Sequence, residues 1–287
     1  MRATEFMNER FLEPLGEASL TFFTYIGGSV LLLGRTAWGV LMLPWGRWGL
    51  QMVTPWRWKE LEQDRRWGLI ADQLEKVGVA SFPIVFLTAL FTGMVLALQS
   101  AYQLQKMAAE TYIGALVALS MTRELGPVLT ALVIAGRVGA AITAELATMR
   151  VTEQIDALET LSTDPVRHLV VPRMVALVVM LPLLTVYADM IGILGGYLVG
   201  VYKLGIGSSL YMNMTWDPLR VKDVLTGLFK SGVFAAIIGT IASYEGFETG
   251  GGAEGVGRST TLAVVISFIL IITADCFFTA LFYFVFP

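Results

Sequence analysis

Apolar positions along this chain gather into long unbroken runs set apart by short polar connections. A helix needs about 20 apolar residues to cross the ~30 Å hydrocarbon layer of a bilayer. Four runs meet that length: Phe82 to Leu104, Pro127 to Met149, Met174 to Val201 and Leu262 to Phe286. A fifth, Val224 to Tyr244, is long enough but holds Lys230, which is costly in lipid and is therefore expected to face protein. Leu20 to Val53 is interrupted by Arg35, Pro44 and Arg47 and carries Trp38, Trp45 and Trp48. Trp and Arg favour the headgroup boundary, so this stretch reads as a helix or bent pair of helices lying in the interface, a sixth span being the alternative. The pattern predicts an all-α integral membrane protein with an N-terminal interfacial helix, five transmembrane helices, and a short cytoplasmic helix between the second and third spans. Residues 1–76 form the N-terminal cytoplasmic and interfacial region and 77–287 the transmembrane domain.

Composition agrees: of 287 residues, 55% are hydrophobic and only 15% charged, far from the balance of a soluble domain. A formal net charge of −3 and the absence of a long like-charge run exclude a nucleic-acid partner, which needs clustered Lys and Arg. One cysteine, Cys276, and one histidine, His168, cannot build a disulfide or a Cys/His metal site within one chain. The N-terminus carries Glu5, Glu9, Glu13 and Glu17 and lacks a signal-peptide pattern, so the chain is expected to enter the membrane by its own helices. Arg57, Lys59, Arg65, Arg66 and Lys76 precede the first span, and Arg150, Arg167 and Arg173 follow the second. Against Lys106, Lys203, Arg220 and Lys222 on the other side, they place the N-terminus and the 150–173 connection in the cytoplasm and the C-terminus outside.

The stretch "GAEGVGRS", Gly252 to Ser259, has the spacing of a phosphate-cradling loop except that Arg258 replaces the lysine. Such a loop needs a buried strand before it and a magnesium-holding Asp elsewhere, whereas here a membrane span precedes it. A structured helix start is preferred, with Ser259 and Thr260 as caps for the last span.

Ionisable residues inside the apolar runs carry more information. Arg123 and Glu124 stand before Gly126-Pro127, where proline chemistry predicts a helix break. They either neutralise charge within the bundle or face a pathway for a polar group, and intramembrane charges favour the second. Lys230 is a candidate partner for Glu124, and Asp223 could join from the same helix face. In the first span, Leu96, Gln99 and Gln103 and, on a neighbouring face, Met94, Leu98 and Tyr102 could line a cavity for acyl chains; a lipid-facing helix with a polar end is the alternative. Small residues at Gly136, Gly139, Ala140, Ala144 and Ala147, and at Gly192, Gly195, Gly196 and Gly200, point to close helix packing. Between the second and third spans, "VTEQIDALETLSTDP" predicts a helix of two to three turns capped by Thr152, with Ile155 and Leu158 as its apolar strip. Such a helix suits force transfer from a separate motor subunit, or simply rests on the headgroups.

The runs "RELGPVLTALVIAGRVGAAITAELATMRVTEQIDAL", "DPVRHLVVPR" and "GVGRSTTLAVV" occur in order at fitting spacing, and from about Val77 onward the chain resembles the MlaE/YrbE family of ABC-transporter permeases. The resemblance implies a homodimeric permease in the bacterial inner membrane that moves phospholipid or a related lipid between inner and outer membranes. It implies two cytoplasmic ABC ATPase subunits that bind the ATP and Mg, no cofactor in this chain, and a periplasmic partner with an MCE domain. Glu153, Gln154, Ile155, Asp156, Ala157 and Leu158 would form the helix that docks into the ATPase. Arg123, Glu124 and Lys230 would lie near the lipid cavity, with Leu96, Leu98 and Tyr102 approaching its wall. Two rivals make different predictions. An ion-coupled secondary transporter would use Glu124, Glu145, Asp189 or Asp275 as ion sites, and a structural anchor would tolerate charge changes at Arg123 and Glu124.

Overall fold

The computed structural model describes residues 24–39 and 68–285, and among them every regular element is helical. In chain order the α-helices are α1 (24–39), α2 (68–77), α3 (Phe82–Leu104), α4 (Ile113–Ser120), α5 (Gly126–Ile134) and α6 (Ala140–Val151). They continue as α7 (Gln154–Thr160), α8 (Val171–Tyr202), α9 (Ser208–Trp216), α10 (Val221–Phe247) and α11 (Gly252–Val285). Joined across short helical turns, five stretches are long and apolar enough to cross a membrane: Gly68–Met107, Glu110–Val151, Val166–Tyr202, Val221–Phe247 and Gly252–Phe284. The five predicted runs fall on these five stretches, which extend past them because a helix propagates through polar turns once nucleated. Trp45, Trp48, Pro44, Arg47 and the basic residues Arg57 to Arg66 lie outside the described residues.

Helix α1 covers about 24 Å at 1.5 Å per residue, less than the hydrocarbon thickness. Tyr25 meets the Tyr244 ring edge-on with centroids 5.0 Å apart, Gly28 packs on the same ring, and Gly39 packs on Val171. Tyr244 lies near the end of α10 and Val171 at the start of α8, so α1 runs across the end of the bundle that also carries α7. Outward it shows Val30, Leu31 and Trp38.

The second span departs from expectation. No break occurs at Gly126-Pro127; the chain instead widens into a π turn over Met121–Leu125 and continues. Proline lacks the N–H that would bond the carbonyl four residues back and crowds that carbonyl, and the wider turn relieves the clash. The carbonyl left over is that of Arg123, and the Lys230 ammonium donates to it at 3.1 Å. A second π turn spans Ala135–Gly139 and contains Arg137.

The main core joins Val85 and Ala89 of α3 with Ile134, Leu146, Leu177, Leu181, Phe234 and Ile238. A smaller core at the α9 end gathers Ala97, Ile113, Val117, Met121 and Tyr211. The glycine stripe on α8 brings the backbones together as expected: Gly192 faces Gly93, Gly195 faces the Leu90 carbonyl, and Gly196 and Gly200 receive Tyr211. A side chain at Gly195 would drive α8 off α3, so Gly195→Val is expected to cost about 1–3 kcal/mol. Gly232→Ala, where nothing lies within 4 Å, should leave stability level or raise it through helix propensity. Thermal unfolding of the two variants in detergent checks the contrast.

Candidate functional site

Arg123 and Glu124 of the second span, Asp223 and Lys230 of the fourth and Asp275 of the fifth meet at one place in the half of the bundle nearer α9. Lys230 sits on α10 among small and apolar neighbours, its side chain only 2% exposed. Its ammonium donates to Glu124 Oε2 at 2.8 Å, Asp275 Oδ1 at 2.9 Å, Thr279 Oγ1 at 2.7 Å and the Arg123 carbonyl. Three N–H groups thus serve four oxygens. The Thr279 hydroxyl in turn donates to Glu124 at 2.9 Å. Burying an ammonium is tolerated here because two carboxylates and a freed backbone carbonyl replace its water.

Beside this network, Asp223 does two jobs. Its Oδ2 accepts the Arg220 backbone N–H at 3.0 Å, which starts α10, while Oδ1 accepts from Arg123 at 2.8 Å. Asp223 therefore pairs with Arg123 across helices rather than with Lys230 along its own. Close approach of α10 to the π turn is possible because Gly227 faces the Thr122 carbonyl, where a Cβ would collide. The network is sealed on the Lys230 side and open on the other, with the Arg123 side chain 53% and that of Glu124 37% exposed. Adjacent in the chain to Lys230 and Thr279, Phe229 and Phe278 pack edge-on at 5.5 Å with Phe282 beside them, and Phe229 itself is exposed.

Asp275 and Thr279 were absent from the site proposed from sequence as partners of Lys230. Asp275 had a usable signal, since it is the only charged residue between Leu262 and Phe286. Thr279 had none.

The first-span residues lie elsewhere. Leu98, Gln99 and Tyr102 are exposed on α3, Lys106 sits 4.3 Å above the Tyr102 ring, and Leu96 packs partly buried against the smaller core. The expected face is therefore split: the α3–α8 crossing at Gly93 turns Leu96 and Met94 inward and leaves Leu98 and Tyr102 outside. Helix α3 packs along α8 and α4, whereas the Lys230 network is built from the Met121–Leu125 turn, α10 and α11.

At the opposite end, α7 is held by buried Ile155 and half-buried Leu158, while Gln154, Asp156, Ala157, Glu159 and Leu161 are exposed. Thr152 is not its cap. The Thr152 hydroxyl bonds the Thr148 carbonyl at 2.8 Å and so finishes α6, and the chain reverses at Glu153, whose φ of 60° is left-handed. The Asp156 carboxylate pairs with Arg150. The helix ends at Thr160, and Asp164 accepts the Val166 N–H at 3.0 Å to start the next one.

"GAEGVGRS" is not a loop. Helix α11 begins at Gly252, where φ is 70°, after Gly251 at 82°, so the motif forms the first turns of a helix that follows a membrane span and not a loop delivered by a strand. Ser259 and Thr260 are interior rather than caps, and the Thr260 hydroxyl bonds the Val256 carbonyl at 2.7 Å. Among the described residues no group of three or more His, Cys, Asp and Glu is arranged to hold a metal.

A family model for the permease MlaE matches residues 70–281. A probable ABC transporter permease protein of Rickettsia felis is 53% identical over 215 residues, 75% of this chain and 83% of the relative. The intermembrane phospholipid transport system permease protein MlaE of Haemophilus influenzae is 40% identical over 214 residues, 74% of this chain and 82% of the relative. The protein TRIGALACTOSYLDIACYLGLYCEROL 1, chloroplastic, of Arabidopsis thaliana is 39% identical over 217 residues, covering 76% of this chain and 62% of that protein. The match over nearly all the described helices, on a five-span bundle, makes this multi-pass membrane protein a transport component rather than an enzyme, and a member of the MlaE permease family.

Proposed function

We propose that this chain is the permease subunit of an ATP-driven ABC transporter that moves phospholipids or related lipids between the inner and outer membranes. The observation that carries the reading is the open edge of the Lys230 network. Arg123, Glu124 and Thr279 are reachable there, and the exposed Phe229 ring and the half-buried Phe278 ring stand next to Lys230 and Thr279 along their helices. A charged edge beside apolar rings suits an amphiphile, whose head needs donors and acceptors while its chains need dry surface. Asp223 and Lys230 position that edge from behind. In a homodimer, Leu98, Gln99 and Tyr102 on the outward face of α3 would reach the pathway, while Leu96 supports them from the core.

ATP and Mg would be bound by separate cytoplasmic ATPase subunits, which dock on α7 through Glu153, Gln154, Asp156 and Ala157; Ile155 and Leu158 fix that helix to the bundle. An MCE-domain protein would continue the route outside the inner membrane. Affinity purification of the full chain in mild detergent, followed by mass spectrometry of co-eluting proteins and lipids, tests all three partners. Recovery of an ATPase, an MCE-domain protein and phospholipid supports the reading; recovery of the chain alone overturns it.

An ion-coupled transporter is the second reading, and one residue favours it. Asp189 on α8 is buried against Gly126, and its Oδ1 has no hydrogen-bond partner. By contrast Glu124, Asp275 and Glu145 all pair with cations. Lipid movement driven by a proton gradient in vesicles without ATPase, lost in Asp189→Asn, would establish it.

A further inference from the structure

A second cationic site lies between α2 and α6, at the α7 end and away from Lys230. A cleft of about 240 Å³ opens there, lined by Gln73 and Lys76 of α2, by Arg137 from the π turn, and by Ile142 and Glu145 of α6. Glu145 is already engaged: Arg173 donates to it at 2.8 Å and Lys76 lies 4.0 Å away. Two cations therefore already share that carboxylate, and Asp72 and Glu75 of α2 are exposed and not among the residues that line the cleft. Arg137 stands out among the intramembrane charges. Arg123, Lys230 and Arg173 each contact a carboxylate, whereas among the described residues the hydrogen bond from the Arg137 side chain goes to the Ser81 hydroxyl. Arg137 lies 14 residues before the end of α6, or about 21 Å along the helix. A cation at that depth without a carboxylate calls for an anion from outside the chain, and π turns recur where a side chain is aimed at a ligand.

We propose that this cleft binds the phosphate of an anionic lipid headgroup. The Arg137 guanidinium offers a planar fork suited to two phosphate oxygens, and Lys76 adds a mobile point charge at the mouth. Val77, Val138 and Ile142 keep the walls apolar, which favours a lipid over a soluble anion. The volume admits a headgroup but not acyl chains. The inference rests on membrane embedding and needs neither ATP nor any partner chain, so it fails or stands apart from the transport reading.

The test is native mass spectrometry of the full chain released from nanodiscs of phosphatidylglycerol, of phosphatidylcholine, or of phosphatidylcholine with diacylglycerol. Phosphatidylglycerol should be retained, and the double variant K76Q/R137Q should retain about tenfold less, as expected for losing two charge-assisted contacts. Arg137→Lys should keep part of the retention, and Lys76→Gln alone, altering an exposed side chain, reports on the site without risk to the fold. Equal retention in wild type and the double variant, or equal retention of diacylglycerol, overturns the proposal. Displacement of the lipid by inorganic phosphate would assign the cleft to a soluble phosphate and overturn the lipid source.

Discussion

Lys230→Ala is expected to abolish a stable bundle: removing the ammonium leaves Glu124 and Asp275 facing one another and the Arg123 carbonyl without a donor. Breaking a buried ion pair by deleting one partner costs about 3–5 kcal/mol, because the remaining charge stays buried. Here two carboxylates are stranded, so the upper part of that range applies. Glu124→Gln should be far milder, since Asp275 and the Arg123 carbonyl still serve Lys230 and the glutamine can accept from it. The pair separates structure from passage. Thermal unfolding in detergent should collapse for Lys230→Ala and change little for Glu124→Gln, while lipid transport should fall in both. A Lys230→Ala protein that melts like wild type would show that the network does not hold the bundle. A fully active Glu124→Gln would remove that residue from the pathway.

The second large effect is expected at α7. Reversing Glu153 and Asp156 together to lysine changes two exposed carboxylates on the face proposed to meet the ATPase. Placing like charges against a partner arranged for the opposite sign costs several kcal/mol. Recovery of the ATPase on the tagged permease should therefore drop more than about tenfold, and ATP-dependent transport with it. The fold should survive, because Ile155 and Leu158, which seat α7, are untouched. Ile155→Asp is the contrasting variant: a carboxylate at that buried position should unseat α7 and lower the melting temperature as well. Unchanged co-purification of the ATPase with the double reversal would rule out docking through this face.

Arg123, Glu124 and Lys230 were legible because a charge inside an apolar run is rare and costly, and Glu124 and Lys230 do meet. Asp275 was legible by the same rule, although its partner was not. Thr279 was hidden for a physical reason. Threonines in these helices commonly bond their own backbone four residues back, as Thr273 does to Ile269 at 2.7 Å. Nothing along the chain separates Thr273 from Thr279, which instead reaches Glu124. Thr152 misled for a related reason: its hydroxyl had the Thr148 carbonyl within reach as well as the helix start it was expected to cap. At Pro127 the local rule for a break was sound, but Lys230 from another helix took up the freed carbonyl and let the chain run on.

By itself the sequence determined the number and place of the membrane helices, the existence of α7, and the glycine stripe on α8. These follow from local quantities, since in lipid a helix satisfies its own backbone groups and an apolar run of sufficient length has no cheaper alternative. The tertiary structure alone decided which charges share a site. Lys230, Asp275 and Thr279 are separated by 45 and 49 positions, and Arg123 and Asp223 by 100, so their meeting depends on how glycines let α10 approach the π turn. It also parted Leu98 and Tyr102 from Leu96, because helical spacing tells which residues share a face, while only the crossing of α3 with α8 tells which face is covered.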